Sequence, residues 1–158
     1  MSRLVRAGLS TAVSDGLFSS VLVVAAYGST VTRLWQGVAS VLLGSGAFEG
    51  GLRTVLVGLA MHVAVAFTWS AVFLFLVQRA AWLRRLVGSR YGVVKAAALY
   101  GPLVWTVMSL VVIPALTRKP PSIAFRWWVQ FFGHFPFVGL PIVAGIGLPP
   151  REGGRAGG

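Results

Sequence analysis

Three ionisable side chains stand within long apolar stretches of this sequence: Asp15, His62 and His134. Ionisable groups inside a membrane-length segment are costly to keep, so each is a functional candidate. An imidazole changes charge near neutral pH, and a carboxyl group beside it would share the proton. Together the three residue types fit a proton-sensitive site. Imidazole and carboxylate also suit zinc or manganese, which makes Asp15, His62 and His134 a weak candidate metal set. The plainest reading is packing alone, each imidazole donating to a backbone carbonyl freed by a nearby Pro or Gly and Asp15 bonding to Ser19.

The neighbours of these residues form stripes. Thr11, Asp15 and Ser19 repeat every four residues, as do Gly58, His62, Ala66 and Ser70, and Gln130 shares a helical face with His134. Helices approach closely where side chains are small, so these stripes are expected to face inward. At about 1.5 Å of rise per residue, His62 and His134 fall at similar depth, with Asp15 roughly 6 Å deeper. Thr106 and Ser109 lie at comparable height and extend the expected polar layer. The candidate site is therefore Asp15, Ser19, His62, Ser70, Thr106, Gln130 and His134.

The elements that must position these groups follow from composition. Of 158 residues, 56% are hydrophobic and only 11% charged, against about 25% charged in ordinary soluble domains. Such a chain cannot coat a water-soluble surface. Its formal net charge is +11, but the basic residues sit in short clusters between apolar runs. That pattern suits anionic lipid head groups better than nucleic acid. With no Cys, disulfides, thiolate zinc sites and Cys nucleophiles are excluded.

Four apolar segments are predicted to span a bilayer, over residues 7–27, 54–77, 96–115 and 127–147. No formal charge lies between Arg53 and Arg79, a length sufficient to cross a core of roughly 30 Å. A cleaved signal peptide competes for the first segment, but Asp15 interrupts its apolar region and three further spans follow. Residues 32–43 are too few to cross. Leu34, Val38, Val41 and Leu42 share one face there, and Arg33, Gln36 and Ser40 the other, as in an amphipathic helix lying in the interface. A short helix packed on the bundle gives the same pattern. Residues 148–158, rich in Pro, Gly and Arg, are expected to be a disordered tail.

Lys and Arg are more numerous in the N-terminus, the loop between spans two and three and the tail than in the other connections. By the positive-inside rule both termini are cytoplasmic. Arg79, Arg84, Arg85 and Arg90 would meet anionic lipid head groups. Glu49 and Arg53, four residues apart, are expected to form a surface pair of little energetic weight. Gly44, Ser45 and Gly46 lack the Gly-x-Ser-x-Gly pattern, and no Walker or dinucleotide fingerprint occurs. No catalytic residue is assigned and no cofactor is expected. Tyr100 reads as an interior contact. Small-residue stripes at Ala60, Ala64 and Thr68, and at Ala97 and Gly101, offer faces for homo-oligomer formation or internal packing.

Several short motifs carry a family likeness. His62 is followed by a basic loop, a third span closing on Val111, Val112, Ile113 and Pro114, the Pro120 and Pro121 turn, and Gly133 and His134 in the last span. These features resemble the small bacterial inner-membrane proteins of unknown function related to the YagU type. The run WQGVASVLLG over residues 35–44 resembles related four-span proteins. The resemblance implies a bacterial cytoplasmic-membrane location and a link to acid resistance. It carries over no catalytic residue.

The sequence thus predicts an all-α, polytopic membrane protein, with four transmembrane helices bundled beside one short interfacial helix. Two functional expectations follow: a proton-sensitive or ion-handling polar site inside the bundle, or a non-catalytic structural or partner-binding subunit.

Overall fold

The computed structural model describes residues 1–147 and is all-helical among them. The predicted tail, 148–158, lies outside the described residues. Helix α1 (Arg3–Ala25) starts at Ser2, whose hydroxyl accepts the Val5 N–H at 3.2 Å. Capping of this kind satisfies one of the orphan donors of a helix start. Thr30 does the same for α2 (Val31–Leu43), accepting the Arg33 N–H at 3.2 Å. Helix α3 (Gly51–Arg79) is followed by the short α4 (Ala81–Val87). The third span, Gly92–Thr117, comprises α5 (Gly92–Val107), a π-helical turn (Met108–Val112) and α6 (Ile113–Thr117). The fourth, Phe125–Ile146, repeats that plan with α7 (Phe125–His134), a π turn (Phe135–Gly139) and α8 (Leu140–Ile146).

Four of these helices are long and apolar enough to cross a membrane. Leu9, Val13, Leu17 and Val21 run down the outside of α1, all more than two-fifths exposed. Phe132, Leu99 and Leu103 do the same on the third and fourth spans. Large apolar side chains left open in continuous stripes require an apolar solvent. The protein is a multi-pass membrane protein built as a helical bundle. Every span starts two to four residues before its predicted limit, the second and third also run two residues past their predicted ends, and the first and fourth stop at Ala25 and Ile146, two residues and one residue short of theirs.

Helix α1 lies between α3 and α8, while the third span packs along the fourth. The two ends of the bundle differ. Toward α4 the centre is solid: Phe73, Tyr100, Val104, Ile142, Val143 and Ile146 are buried together. Here the Tyr100 hydroxyl donates to the Trp69 carbonyl at 2.7 Å, fastening the third span to α3. Tyr100 is the interior contact expected of it. Toward α2 the same helices diverge around a cavity.

Both π turns run into a proline, Pro114 and Pro141. A proline has no N–H to give the carbonyl four residues earlier. For Pro141 that carbonyl is Phe137, and the Ser14 hydroxyl of α1 donates to it at 2.5 Å. A bent lipid-embedded helix is tolerated when a neighbour fills the vacancy in this way.

Helix α2 packs onto α3 through Trp35, Gln36 and Ala39, all buried. Gln36, predicted to sit on the polar side, is 5% exposed. Close approach explains the burial: the Trp35 carbonyl lies against Gly58 where any other residue would carry Cβ. Gly58→Val therefore pushes α2 off α3, at a cost of about 1–3 kcal/mol for overpacking. Labelling of a cysteine placed at Ala39 should become fast in that variant and stay slow in the parent.

Candidate functional site

The site is assembled where α1 and α3 meet. Gly16 of α1 is buried and carries no side chain, and a Cβ there would stand 3.4 Å from His62 Nε2 and 3.5 Å from the Trp35 ring. The imidazole uses that opening. His62 Nε2 lies 3.0 Å from the Ala12 carbonyl oxygen, and because a carbonyl can only accept, the proton is on Nε2. Nδ1 is then the nitrogen that faces the carboxylate, 3.8 Å from Asp15 Oδ2. The Trp35 ring covers His62 at a centroid distance of 5.1 Å and an angle of 60°.

This tautomer has a chemical consequence. With Nε2–H committed to Ala12, a neutral imidazole would point a lone pair at an ionised carboxylate. One additional proton, on Nδ1 or on Asp15, turns that opposition into attraction. The two side chains are 15% and 16% exposed, so little water stands by to screen them. At 3.8 Å the two groups form one electrostatic unit linking α1 to α3.

Asp15 and His62 open onto a cavity of about 770 Å³, within the size range of small-molecule sites. Ser19, Gln130 and His134 line it as well, so five of the seven predicted site residues share one space. His134 lines it from the fourth span. Its Nδ1 donates to the Gln130 carbonyl at 2.7 Å, one turn back in its own helix, and its ring lies 4.9 Å from that of Trp105.

Ser70 and Thr106 do not line this cavity. Ser70 donates to the Ala66 carbonyl and Thr106 to the Pro102 carbonyl, each at 2.8 Å and four residues back. Ser109 likewise leaves the expected polar layer, accepting the Trp127 indole N–H at 2.9 Å. Among the described residues no three His, Asp or Glu side chains come together to hold a metal ion. Asp15 and His62 are the pair in direct contact, and His134 shares their cavity. The expected Glu49–Arg53 pair does not form within ion-pair distance among the described residues, where His62–Asp15 is the single such contact.

Sequence reading missed Arg33, Trp35 and Trp105, which also line the cavity. The four apolar residues of α2, assigned to lipid contact, line it too. A tryptophan one helix away from each histidine is the only signal that could have pointed to the aromatic walls. Around the rim, Leu42, Phe48 and Leu116 are more than two-fifths exposed, and Ala64 is exposed with them. The cavity thus opens sideways, between α3 and α6 beneath α2.

Compared with protein-family models, curated proteins and solved structures, the chain gives no significant match.

Proposed function

We propose that this protein is a proton-responsive membrane protein whose working part is the Asp15–His62 pair, with His134 lining the same cavity. The observation that carries this reading is the bond from His62 Nε2 to Ala12, which leaves Nδ1 facing the carboxylate at 3.8 Å. A packing role needs only the first of those contacts. The second makes sense for a group that gains and loses a proton. Arg33 is the other charged residue on the cavity wall, at its outer rim. In reconstituted vesicles under an imposed pH gradient, the parent should pass protons about tenfold or more faster than a His62→Ala, His134→Ala double variant. Equal flux in the two would rule out ion handling.

Location belongs to the same proposal. The basic asymmetry of the connections favours an orientation with both termini in the cytoplasm, and a bacterial cytoplasmic membrane is what the YagU-type resemblance implies. Arg79, Arg85 and Arg90 are exposed at the α4 end, suited to anionic lipid head groups. Arg84 also closes the end of α3, its guanidinium donating to the carbonyls of Val77 and Gln78 at 3.1 and 2.8 Å.

A non-catalytic subunit that pairs through helix faces is the second reading, favoured by one stripe only. Ala97 and Gly101 are buried within the bundle, whereas Ala60, Ala64 and Thr68 are exposed. If copies associate there, Ala64→Leu should shift the purified protein from dimer to monomer in native mass spectrometry with the helix content unchanged. An unaltered mass distribution would assign that stripe to lipid.

A further inference from the structure

We propose that the cavity binds a lipophilic monocation, a bulky apolar molecule carrying one positive charge, in exchange for the proton held by Asp15 and His62. The inference rests on the proton-binding reading above and adds the class of ligand. Two observations are independent of that reading. Asp15 Oδ1 and Gln130 Oε1 are both buried acceptors without a hydrogen-bond partner, and both residues line the same cavity. An unsatisfied acceptor in apolar surroundings costs free energy until a donor or a positive charge arrives. The walls supply the rest: the space is largely apolar, and Trp35 and Trp105 contribute aromatic rings, the surfaces on which organic cations settle.

Charge decides between cation, anion and neutral ligand. The titratable or charged residues around the space are Asp15 on α1, Arg33 on α2, His62 on α3 and His134 on the fourth span; the third span contributes none. Arg33 is exposed at the rim, where solvent and head groups screen it. At the inner end, Asp15 is the one acid. With one proton shared, Asp15 and His62 are neutral together. A bound cation beside ionised Asp15 and neutral His62 is neutral as well. One positive charge enters and one proton leaves, so neither state strands a net charge in the membrane interior. An anion would have to sit against the carboxylate, and a neutral hydrocarbon would leave both acceptors unmet. The sideways opening between α3 and α6 gives such a molecule a route from the bilayer.

Tetraphenylphosphonium is a suitable probe because it is apolar, singly charged and has no proton of its own. With the full chain in nanodiscs, and empty nanodiscs subtracted, equilibrium dialysis should give saturable binding that weakens about tenfold per unit fall in pH where the proton competes. Addition of the cation to weakly buffered protein should release one proton per cation bound. Asp15→Asn should weaken binding at least tenfold and abolish the release, and tetraphenylborate, of the same shape and opposite charge, should not compete. Saturable binding without proton release in the parent, equal binding of the borate, or no saturable binding at all would overturn the proposal. Because proton uptake is also measured without any cation, a failure here is distinguishable from failure of the proton-binding pair itself.

Discussion

Asp15→Asn should abolish the pH response of the protein while leaving it folded. The amide has nearly the shape of the carboxyl group but cannot share a proton with His62. A protonated imidazole would then stand as an uncompensated charge in the membrane interior, which is strongly disfavoured. Proton flux or uptake across pH 5–8 should fall about tenfold or more. Stability should change by less than about 1 kcal/mol, because Asp15 Oδ1 has no hydrogen-bond partner to lose. Titration of weakly buffered protein and unfolding in mixed detergent, each repeated at several pH values, measure the two effects.

Gly101→Leu should have the largest structural effect. A Cβ at Gly101 would fall onto the backbone carbonyl of His134, and Gly139 meets the Ala97 carbonyl in the same contact. Backbone on both sides leaves no side chain able to move aside. The third and fourth spans would have to part, at a cost of about 3 kcal/mol or more. The cavity wall carrying His134 would go with them. Gly37 provides the contrast, since nothing lies within 4 Å of its missing Cβ. Gly37→Ala should be neutral or gain up to about 1 kcal/mol from helix propensity. Thermal unfolding followed by circular dichroism ranks the three proteins, and equal midpoints for Gly101→Leu and the parent would contradict the packing described.

The helices were legible because a span is a local property: apolar length and bounding charge suffice. So was half of the site. The four-residue repeats through Asp15 and through His62 put both on inward faces, but the rise per residue set Asp15 roughly 6 Å deeper than His62, whereas the two side chains meet at 3.8 Å. The limits were equally physical. Ser70 and Thr106 look like site residues until the carbonyl one turn back is seen to accept their hydroxyls, a partner that every helix position has and no pattern reveals. The place of α2 depended on Gly58, and a glycine shows only that close approach is sterically open, never which stretch of backbone uses it. A thirteen-residue amphipathic helix has the same face whether it meets lipid or a cavity. The cavity itself is a place where helices fail to touch, set by the π turns before Pro114 and Pro141 and by α2 bridging α3 and α6. Spacing in the chain carries no record of that.

Which nitrogen of His62 carries the permanent proton decides between a proton-handling pair and a packing contact. Solid-state nitrogen-15 NMR of histidine-labelled protein in bilayers reads this directly, with His134→Gln used to assign the two rings. The expected result is Nε2 protonated throughout the titration, with Nδ1 of His62 changing in concert with Asp15 and losing that dependence in Asp15→Asn. A neutral His62 with its proton on Nδ1, or a His62 signal indifferent to Asp15→Asn, would contradict the proposed pair.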